Sequence, residues 1–549
     1  MERGTQPGPL AFNVADLFEA VADRRATSPA VIAGTDRLSY QDLEQLTARW
    51  ASSLADLGVG PGDRVALLLG NSLPHVAALL GSFKLRAVPI NVNQHYTVDE
   101  LRHLLTDANP AVVICDDAAT AACEASLGGE TARLVPLSQI TARVSTVHPQ
   151  SRRTDRSGED RYLLYTGGTT GLPKGVEWRQ EDLFFAALGG DHRPDGPLTV
   201  AADALDALRH EPTRVLVASP LMHGTAQWVT LGSLLSGGTV VLSTHPHFDP
   251  EALLDLAEAE EVAQLVVVGD AFAVPLVEAL DRHPARWQLD RLVAIASGGA
   301  ALAPDTAARL LGHLSGAVVV DGYGTSETGG HARRIHLPGI TPAAGFRTGP
   351  DTALIGADGA LLARDSPDAG RIARRGRLPV GYRNDPARTA ATFVTINGER
   401  WALSGDHGRW RSDGTLALMG RGERTVNSGG EKVDALEVES VIRTHPAVAD
   451  VMVVAVPDAR FGEVVGALIQ LLPGAVLAEE DLAAWCRSSL ARFKVPRRVQ
   501  VLHALPRTPT GKPDYRGATE QLLHQAAVST GQHEPARGPT SRAGTERPS

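Results

Sequence analysis

The amino-acid sequence predicts an α/β protein: a large N-terminal domain of helix-covered mixed and parallel sheets, followed by a small α+β C-terminal domain. Apolar runs typical of buried strands alternate with amphipathic helical segments from Ser39 to Asp321, which is typical of parallel sheets covered by helices. After about residue 370 the pattern changes to short strands and turns, where we expect a β-barrel-like part. Because 549 residues exceed what one hydrophobic core usually supports, at least two domains are expected.

The helix and strand signals are clearest in the first 321 residues. Apolar residues recur at helical spacing after Ser39 until Gly58, and Thr97 with Glu100 forms a capping box that opens another helix. The segment from about 115 to 160 is polar and irregular, and we expect surface structure there. Buried strands are predicted at 65–69, 111–115, 161–165, 215–219, 239–243, 264–268, 292–297 and 317–321. Several of these strands end in glycine, serine or aspartate, at the sheet edge where α/β proteins bind ligands.

A domain boundary is predicted near Gly420–Arg424. The expected domains are residues 1–420, a hinge at 421–424, a compact mobile unit at 425–520 and a disordered tail at 521–549 that is rich in Gly, Pro, Ser, Arg and Glu. The compact unit is predicted to contain a helix from about 434, strands at 449–456 and 466–472, a helix at about 478–491 and a strand at 497–502.

Composition narrows the function classes. A formal net charge of −10 argues against a general nucleic-acid interface, which needs a basic field. The three cysteines, Cys115, Cys123 and Cys486, fit neither a metal-binding spacing nor a disulfide framework. We find no secretory signal pattern and no apolar run long enough for a membrane span. We therefore expect a water-soluble cytoplasmic enzyme with reduced thiols.

The segment Tyr165-Thr-Gly-Gly-Thr-Thr-Gly-Leu-Pro-Lys-Gly-Val176 carries the strongest chemical signal. It follows a strand, and its glycines and hydroxyls can present N–H and O–H donors to phosphate oxygens, while Lys174 adds a cation. It is not a Walker P-loop, because it lacks a Gly-Lys-Ser/Thr ending. If this segment is considered alone, the competing interpretation is a mobile glycine loop that binds no ligand.

This segment resembles the phosphate-binding signature of the adenylate-forming (ANL) superfamily of acyl-CoA synthetases, peptide-synthetase adenylation domains and luciferases. Further signatures of that superfamily follow in order, and the resemblance spans about residues 10–516. Residues 165–184 and 426–433 are most similar to bacterial fatty-acid and steroid-side-chain acyl-CoA ligases. The resemblance implies an AMP-forming ligase of fatty-acid, steroid or terpenoid metabolism that uses ATP, Mg²⁺ and coenzyme A.

By this resemblance the nucleotide lies along the strand ends of the first domain. Tyr323 offers an aromatic face to adenine, Glu327 offers a hard oxygen to Mg²⁺, and Asp406 can accept hydrogen bonds from both ribose hydroxyls. Ser326 stands where relatives commonly have threonine, which keeps the hydroxyl. The implied nucleotide-binding residues are Thr166, Gly167, Gly168, Thr169, Thr170, Lys174, Gly298, Gly299, Ala300, Asp321, Gly322, Tyr323, Gly324, Thr325, Ser326, Asp406 and Arg421.

The resemblance also implies three catalytic residues, Lys512, Glu327 and His223. Lys512 corresponds to a mobile lysine whose ammonium offsets the repulsion between the attacking carboxylate and the α-phosphate. His223, in Pro220-Leu-Met-His-Gly, is expected either to shield the reacting groups or to shape the entry of the thiol; an ordinary half-buried histidine is the competing interpretation.

The second half-reaction is expected to depend on the C-terminal domain. Gly429 and Gly430 are implied to line the coenzyme A tunnel, and Glu423 occupies the hinge position, where relatives often have Asp or Lys. The acyl pocket is expected near Gln227, Trp228, Phe272 and Gly298–Ala300, where small residues leave room for a long-chain, steroid-like or other polycyclic acid.

Four other functions remain open at this point. A peptide-synthetase adenylation enzyme would need an acidic partner for a substrate amine, where His223 stands. A luciferase-type oxidase shares the nucleotide motifs. The third is an enzyme limited to one half-reaction, because Ser326 and Glu423 depart from common patterns. The fourth is a nucleotide-binding regulator without catalysis. The oligomeric state is open between a monomer and a homodimer.

Overall fold

The computed structural model describes residues 10–94, 96, 98–127, 132–168, 171–191, 198–206, 208, 212–245, 247–421, 425–428, 431–458, 462–490, 492–508 and 512–530. The chain divides into two compact units, Met1–Leu418 and Met419–Ser549. It is a mixed α/β protein in which the first unit is much the larger.

Helices and strands alternate along most of the larger unit. Its helices are α1 Val14–Arg24, α2 Tyr40–Asp56, α3 Leu73–Lys84, α4 Val98–Ala108, α5 Thr120–Leu127, α6 Leu137–Val144, α7 Gln180–Ala187, α8 Asp203–Asp206, α9 Gly224–Leu235, α10 Pro250–Ala259, α11 Gly269–Arg282, α12 Pro304–His313 and α13 Pro386–Thr392. Its first strands are β1 Pro29–Ala33, β2 Asp36–Ser39, β3 Arg64–Leu68, β4 Val88–Asn91, β5 Val112–Cys115, β6 Arg133–Pro136, β7 Arg161–Gly168, β8 Gly171–Arg179, β9 Arg214–Val217, β10 Thr239–Leu242, β11 Gln264–Val267 and β12 Ala294–Gly298. The strands that follow are β13 Val318–Thr325, β14 Gly329–His336, β15 Arg347–Thr348, β16 Thr352–Ile355, β17 Ala369–Arg375, β18 Gly381–Tyr382, β19 Phe393–Ile396, β20 Glu399–Trp410 and β21 Leu416–Arg421.

These strands form three sheets. One has seven strands in the order β18-β8-β7-β4-β3-β5-β6, and another has nine in the order β15-β14-β13-β12-β11-β9-β10-β1-β2. Their central strands pair in parallel, while β8, β14 and β18 add antiparallel pairs at the edges. The part that we expected to be barrel-like is a five-stranded sheet, β16-β17-β20-β19 with β21 on β20. The expected mixed α/β fold is therefore confirmed.

The predicted helix after Ser39 shows how local sequence sets an element. The Ser39 hydroxyl accepts from the Asp42 N–H at 3.1 Å, and the Asp42 carboxylate accepts from the Ser39 N–H at 3.2 Å, so the two residues form a capping box at the start of α2. Leu43, Trp50 and Leu54 are buried on one face of that helix. The predicted buried strands are also present, with ends displaced by a few residues.

The expectation of irregular structure between residues 115 and 160 holds for residues 145–160, which form no helix or strand, but is wrong for the residues before them. That earlier part contains α5, β6 and α6, and β6 pairs in parallel with β5. Val135, Ile140 and Val144 are buried in the main core of the larger unit. Most of the other residues of these elements are exposed or half-buried. Because only one face of each element is apolar, the composition of the segment resembles that of surface structure. Thr97 lies outside the described residues, and α4 begins at Val98.

The smaller unit is built around one sheet. Its elements are β22 Thr425–Ser428, β23 Glu431–Asp434, α14 Ala435–Arg443, β24 Val448–Asp458, β25 Gly462–Leu471, α15 Glu479–Ser489, β26 Arg498–Leu502 and α16 Tyr515–Thr530. The strand order is β23-β22-β25-β24, with β26 on β25. Val451 and Val453 pack in the cluster that contains residues of α14 and α15, whereas Met452 and Val454 pack with residues of α16. The alternation of side chains along β24 therefore buries both faces of the sheet.

Helix α16 corrects the prediction of a disordered tail from residue 521. The helix extends to Thr530, and Ala518 and Leu522 are buried against β24 and β25. Residues 531–549 lie outside the described residues, as does the predicted hinge residue Glu423. In the described parts of the chain, no helix has both the length and the apolar character needed to cross a membrane.

Candidate active site

The carboxyl ends of β12 and β13 bring two of the predicted segments side by side. The strands pair in parallel, with Gly298 opposite Gly322, so residues 298–300 and 321–326 lie at one edge of the nine-stranded sheet. Gly299 has a φ of +87°, which favours glycine, and the chain leaves the sheet at that point. A flat ring can approach the backbone along this edge because Gly298 and Gly322 carry no side chains.

The hairpin between β13 and β14 carries Glu327. A Cβ at Gly324 would lie 2.2 Å from the carbonyl oxygen of Gly329 on the paired strand, so only glycine fits at this position. The Thr325 hydroxyl accepts from the Glu327 N–H at 3.2 Å, and the Thr328 hydroxyl accepts from the Thr325 N–H at 3.0 Å. Thr325, predicted to contact phosphate, thus also orders the turn that presents Glu327.

The glycine-rich segment is a hairpin formed by β7 and β8. Thr166 pairs with Lys174 and Gly168 with Gly171, so the segment predicted to be a loop after one strand is largely two strands. Lys174 therefore stands on a strand of the seven-stranded sheet. Thr169 and Thr170, predicted to bind phosphate at the tip, lie outside the described residues.

Lys174 and Glu327 meet although they belong to different sheets. Lys174 Nζ lies 2.9 Å from Glu327 Oε1 and donates to the Tyr382 hydroxyl at 2.9 Å. The Tyr382 hydroxyl in turn donates to Glu327 Oε1 at 2.6 Å. Burial raises the pKa of Glu327, but the charge of Lys174 and the two hydrogen bonds outweigh it, so the net shift of this pKa is downward. Glu327 is therefore a carboxylate at neutral pH.

Trp178 fixes the Glu327 turn from the same strand that carries Lys174. Its indole N–H donates to the carbonyl oxygen of Ser326 at 3.1 Å, and the indole is fully buried. Its ring lies edge-on to Trp228, with 6.3 Å between the ring centroids. Strand β8 thus contacts both the backbone and the side chain of the turn.

Tyr323 connects the strand-end edge to β20. Its hydroxyl donates to Asp406 Oδ2 at 2.7 Å and lies 3.0 Å from the Ser404 hydroxyl. Its ring contacts those of His331 and Phe346, with centroids 5.1 and 6.3 Å away. The structure therefore brings together the residues predicted to contact adenine and ribose.

Asp321 has a structural partner for its side chain. It lies directly opposite Arg334 in the β13–β14 ladder, and its Oδ2 accepts from that guanidinium at 2.8 Å. Burial raises the pKa of Asp321 to about 6, although Arg334 acts in the opposite direction. The carboxylate of Asp321 therefore pairs with Arg334 of β14, and only the backbone of Asp321 lies along the strand-end edge.

Side-chain amides hold the segment that carries His223. Asn71 donates to the carbonyl oxygen of Ser219 at 3.2 Å and accepts from the Leu221 N–H at 2.7 Å. Gln227 donates to the carbonyl oxygen of Leu221 at 2.8 Å. His223 itself is half-buried and is the residue that precedes α9.

Asn91 joins this segment to the glycine-rich hairpin. Its amide group donates to the carbonyl oxygens of Met222 and Tyr165 at 2.7 and 2.8 Å, and its Oδ1 accepts from the Tyr165 N–H at 2.7 Å. Asn91 is buried, so all three bonds lie away from water. One side chain thus sets the distance between the residue before His223 and the start of the hairpin.

The residues predicted to line the acyl pocket do not share one environment. Gln227 is 1% exposed, and its Oε1 accepts from the Tyr162 hydroxyl at 2.8 Å, so its amide is committed to the protein interior. Trp228 packs against the main core of the larger unit, whereas Phe272 packs against a second cluster and contacts Phe248, with ring centroids 4.5 Å apart.

Lys512 is exposed on the smaller unit. Its carbonyl oxygen accepts from the N–H of Thr508 at 2.8 Å, which closes a short loop, and Arg507 pairs with Pro513 across it. Arg421 is the last residue of β21. The predicted coenzyme A residues Gly429 and Gly430 lie outside the described residues.

Sequence reasoning missed four residues at this site: Asn71, Asn91, Trp178 and Tyr382. Asn71 and Asn91 follow apolar strand runs, and a polar residue at a strand end was a usable signal. Trp178 and Tyr382 gave none, because a single aromatic residue in an apolar or turn segment is ordinarily interpreted as part of the core. No group of three or more His, Cys, Asp or Glu side chains that could hold a metal ion occurs among the residues that the structure describes.

Comparison with known proteins identifies the family of this chain. The AMP-binding enzyme family model matches residues 18–376, and the model of the AMP-binding enzyme C-terminal domain matches residues 437–512. The medium-chain acyl-CoA ligase Mig of Mycobacterium avium is 38% identical, over 94% of this chain and 99% of its own length. The 3-oxocholest-4-en-26-oate–CoA ligase of Rhodococcus rhodochrous is 34% identical, over 93% and 96%.

A solved structure gives the same result for the fold. ATP-bound MatB from Rhodopseudomonas palustris superimposes with a TM-score of 0.79 at 27% identity, over 92% of this chain and 98% of its own. The family models cover most of the chain, and the relatives match it nearly end to end. The chain therefore belongs to the AMP-binding enzyme family, as an acyl-CoA synthetase of the adenylate-forming superfamily.

Proposed function

We propose that this acyl-CoA ligase activates a bulky hydrophobic carboxylic acid as its acyl-AMP and transfers the acyl group to coenzyme A in the same site. The observation that carries the proposal is the meeting of Lys174 with Glu327 at 2.9 Å, beside the strand ends that bear Gly298 and Tyr323. A cation and a carboxylate placed together at a glycine-lined edge suit the phosphates of a nucleotide and the metal that accompanies them.

Magnesium fits the residues present. Mg²⁺ usually takes one or two protein carboxylates and completes its shell with water and substrate phosphates. Glu327, ionised and 7% exposed, can supply that one ligand. When bound with ATP, the cation would neutralise phosphate charge. We propose Glu327 as its protein ligand.

The first half-reaction joins the acid to AMP. In this proposal Tyr323 and Gly298–Ala300 bind adenine, Asp406 and Arg421 bind the ribose, and Lys174 with the threonines of the hairpin holds the phosphates. The acid carboxylate attacks the α-phosphorus, pyrophosphate leaves, and acyl-AMP remains. Lys512 supplies a positive charge as repulsion between the carboxylate and the phosphate grows.

The second half-reaction is proposed to use a different segment of the smaller unit. We propose that this unit turns about Glu423, that Lys512 withdraws, and that Gly429 and Gly430 admit the pantetheine arm. The coenzyme A thiol, which loses its proton, attacks the acyl carbon, and AMP leaves. His223 lies beside the reacting carboxyl group. In this proposal one site catalyses both reactions, because the segment of the smaller unit that carries Lys512 is replaced by the segment that carries Gly429 and Gly430.

The acid is proposed to be a medium- or long-chain fatty acid or a steroid-like acid. Two relatives that match nearly the whole chain are named for a medium-chain acid and for 3-oxocholest-4-en-26-oate. The pocket residues Gln227, Trp228 and Phe272 stay predictions, as do a cytoplasmic location and a homodimer.

A hydroxamate-trapping screen tests the function. Purified protein is given ATP, Mg²⁺ and hydroxylamine with a panel of fatty, aromatic and polycyclic acids, and thioester products are then sought by mass spectrometry with coenzyme A. We expect hydroxamates and thioesters only with bulky hydrophobic acids. Failure with every acid would contradict the proposal.

Two departures from the family pattern justify a second candidate. Glu423 and Ser326 stand where relatives commonly have other residues, so one half-reaction alone is the alternative. Synthetic acyl-AMP supplied with coenzyme A, run beside acid with ATP, separates the two: thioester from acyl-AMP only would favour the alternative.

A further inference from the structure

Tyr382 contacts both charged groups that the proposed function assigns to the phosphates and the metal. Its hydroxyl donates to Glu327 Oε1 at 2.6 Å and accepts from Lys174 Nζ at 2.9 Å. Lys174 Nζ lies 2.9 Å from the same Oε1 and 4.6 Å from the centre of the Tyr382 ring. The three polar atoms form a closed triangle, and both contacts to the carboxylate fall on Oε1.

The backbone that presents Tyr382 is held in place. Gly381 and Tyr382 form β18, in which Tyr382 pairs with Val176 of β8, two residues beyond Lys174. The Tyr382 N–H donates to the Thr389 hydroxyl at 2.9 Å, and the side chain is nearly buried against Phe393. The hydroxyl is therefore presented from a fixed position, as positioning groups in an active site require.

We propose that Tyr382 is a positioning residue, which holds Oε1 of Glu327 so that the other carboxylate oxygen is presented to a phosphate-bound cation. The inference rests on the proposed function. A hydroxyl suits this task because it is neutral. It keeps its hydrogen bond to Glu327 when Lys174 turns to a phosphate, and it does not compete with the metal as a second cation would.

The protonation state of Tyr382 agrees with this role. Burial, and then the neighbouring charge of Glu327, raise the pKa of Tyr382 above its ordinary value, so the hydroxyl remains a donor throughout the working pH range. A hydrogen bond to a charged group is among the stronger ones in proteins, and its loss should be measurable.

Tyr382→Phe tests the role because it removes the hydroxyl and keeps the ring. The matched control is Tyr40→Phe, which also removes a buried hydroxyl, whose single hydrogen is shared between the carbonyl oxygens of Leu234 at 2.9 Å and Gly238 at 2.7 Å. ATP affinity is measured by calorimetry with Mg²⁺ and with EDTA. We expect Tyr382→Phe to weaken ATP binding roughly tenfold with Mg²⁺ and not to weaken it in EDTA, and Tyr40→Phe to change neither.

A double-mutant cycle separates positioning from general stability. In protein that already carries Glu327→Gln, Tyr382→Phe should cause no further loss of Mg²⁺-dependent ATP affinity, because the oxygen it positions no longer holds a charge. Additive losses would overturn the inference, and so would an unchanged Mg²⁺ dependence in the single variant.

The two proposals fail in different ways. If wild-type protein forms no hydroxamate with any acid, the ligase function fails, while the ATP titrations still test Tyr382. If wild-type protein is active and Tyr382→Phe binds MgATP like wild type, only the positioning role fails. Wild-type protein that binds no ATP would overturn both.

Discussion

The side-chain amide of Asn91 pairs with both backbone groups of Tyr165: Nδ2 donates to the carbonyl oxygen at 2.8 Å, and Oδ1 accepts from the N–H at 2.7 Å. Tyr165 is the last residue before the threonine and glycines of the β7–β8 hairpin. A third bond, to the carbonyl oxygen of Met222, fixes the residue before His223. Asn91 thus connects two predicted halves of the site without itself being a predicted ligand.

The first prediction concerns this connection. Asn91→Leu keeps the size of the side chain but leaves three buried backbone groups unpaired, and we expect a loss of about 1–3 kcal/mol in the free energy of unfolding. Pyrophosphate exchange should also fall by tenfold or more. Asn71→Leu is the control, because it releases the 219–221 backbone but not the hairpin. An equal loss of exchange in both variants would contradict a specific role for Asn91.

A second prediction separates the two half-reactions. Lys512→Ala should reduce acyl-AMP formation by at least a hundredfold, because a charge that opposes repulsion in the transition state is removed. Thioester formation from supplied acyl-AMP and coenzyme A should be nearly unchanged. Lys494→Ala, which removes another lysine of the smaller unit, is the control. Equal loss in both assays would show that Lys512 does not act in adenylation alone.

A third prediction concerns pH. The pKa of Asp321 is raised by burial to about 6, whereas an unfolded chain has an aspartate pKa near 3.9. Between about pH 4 and 6 the folded state therefore binds more protons than the unfolded state, and the contribution of Asp321 to stability falls as pH rises through this window. Above about pH 6 Asp321 is ionised in both states, so its destabilising contribution to the free energy of unfolding no longer changes with pH.

Thermal unfolding of wild type and Asp321→Asn between pH 4 and 7 checks this. We expect the stability of wild type relative to the variant to decline by up to about 3 kcal/mol across the window and to be constant above it. A difference that does not change with pH would mean that the ion pair with Arg334 keeps the pKa of Asp321 at its ordinary value.

A fourth prediction concerns the nucleotide. The Tyr323 hydroxyl holds Oδ2 of Asp406 at 2.7 Å, so Tyr323→Phe should raise the KM for ATP several-fold while kcat changes little. Asp406→Asn should raise it by tenfold or more, because one oxygen that accepts from the ribose becomes a donor. Ser404→Ala removes the weaker contact to Tyr323 and the 3.2 Å hydrogen bond from the Asp406 N–H but keeps the Asp406 carboxylate, so it should raise this KM less than Asp406→Asn does. A fall in kcat with an unchanged KM would place Asp406 outside the ribose site.

Much of the fold could be predicted because its strands are buried on both faces and read as apolar runs. Strands β3, β5 and β9 to β11 gave that signal, whereas β12 and β13 are apolar runs of which only alternate residues are buried. The segment with α5, β6 and α6 did not, because a short element with one apolar face resembles polar surface structure. The end of α16 was missed because the tail was judged by its overall composition, whereas Ala518 and Leu522 anchor this helix on the sheet of the smaller unit.

Residues of the candidate site could be predicted only where they belong to a short, recognisable sequence motif. The hairpin residues, Glu327 and Asp406 stand in recognisable strings. Trp178 and Tyr382 act across 148 and 55 residues, on Ser326 and Glu327, and their partners depend on which strands become neighbours. Gln227 was assigned to the acyl pocket because of its position, although its hydrogen-bonding groups are used inside the protein.

Strand β8 carries Lys174 and Trp178 four residues apart, with Val176 between them opposite Tyr382. Because side chains alternate along a strand, all three lie on one face, where they reach Glu327, Ser326 and Tyr382. Inserting or deleting a single residue between Lys174 and Trp178 would send one of them to the opposite side of the sheet. The contacts of Lys174 with Glu327 and of Trp178 with Ser326 therefore depend on an unbroken run of residues along β8.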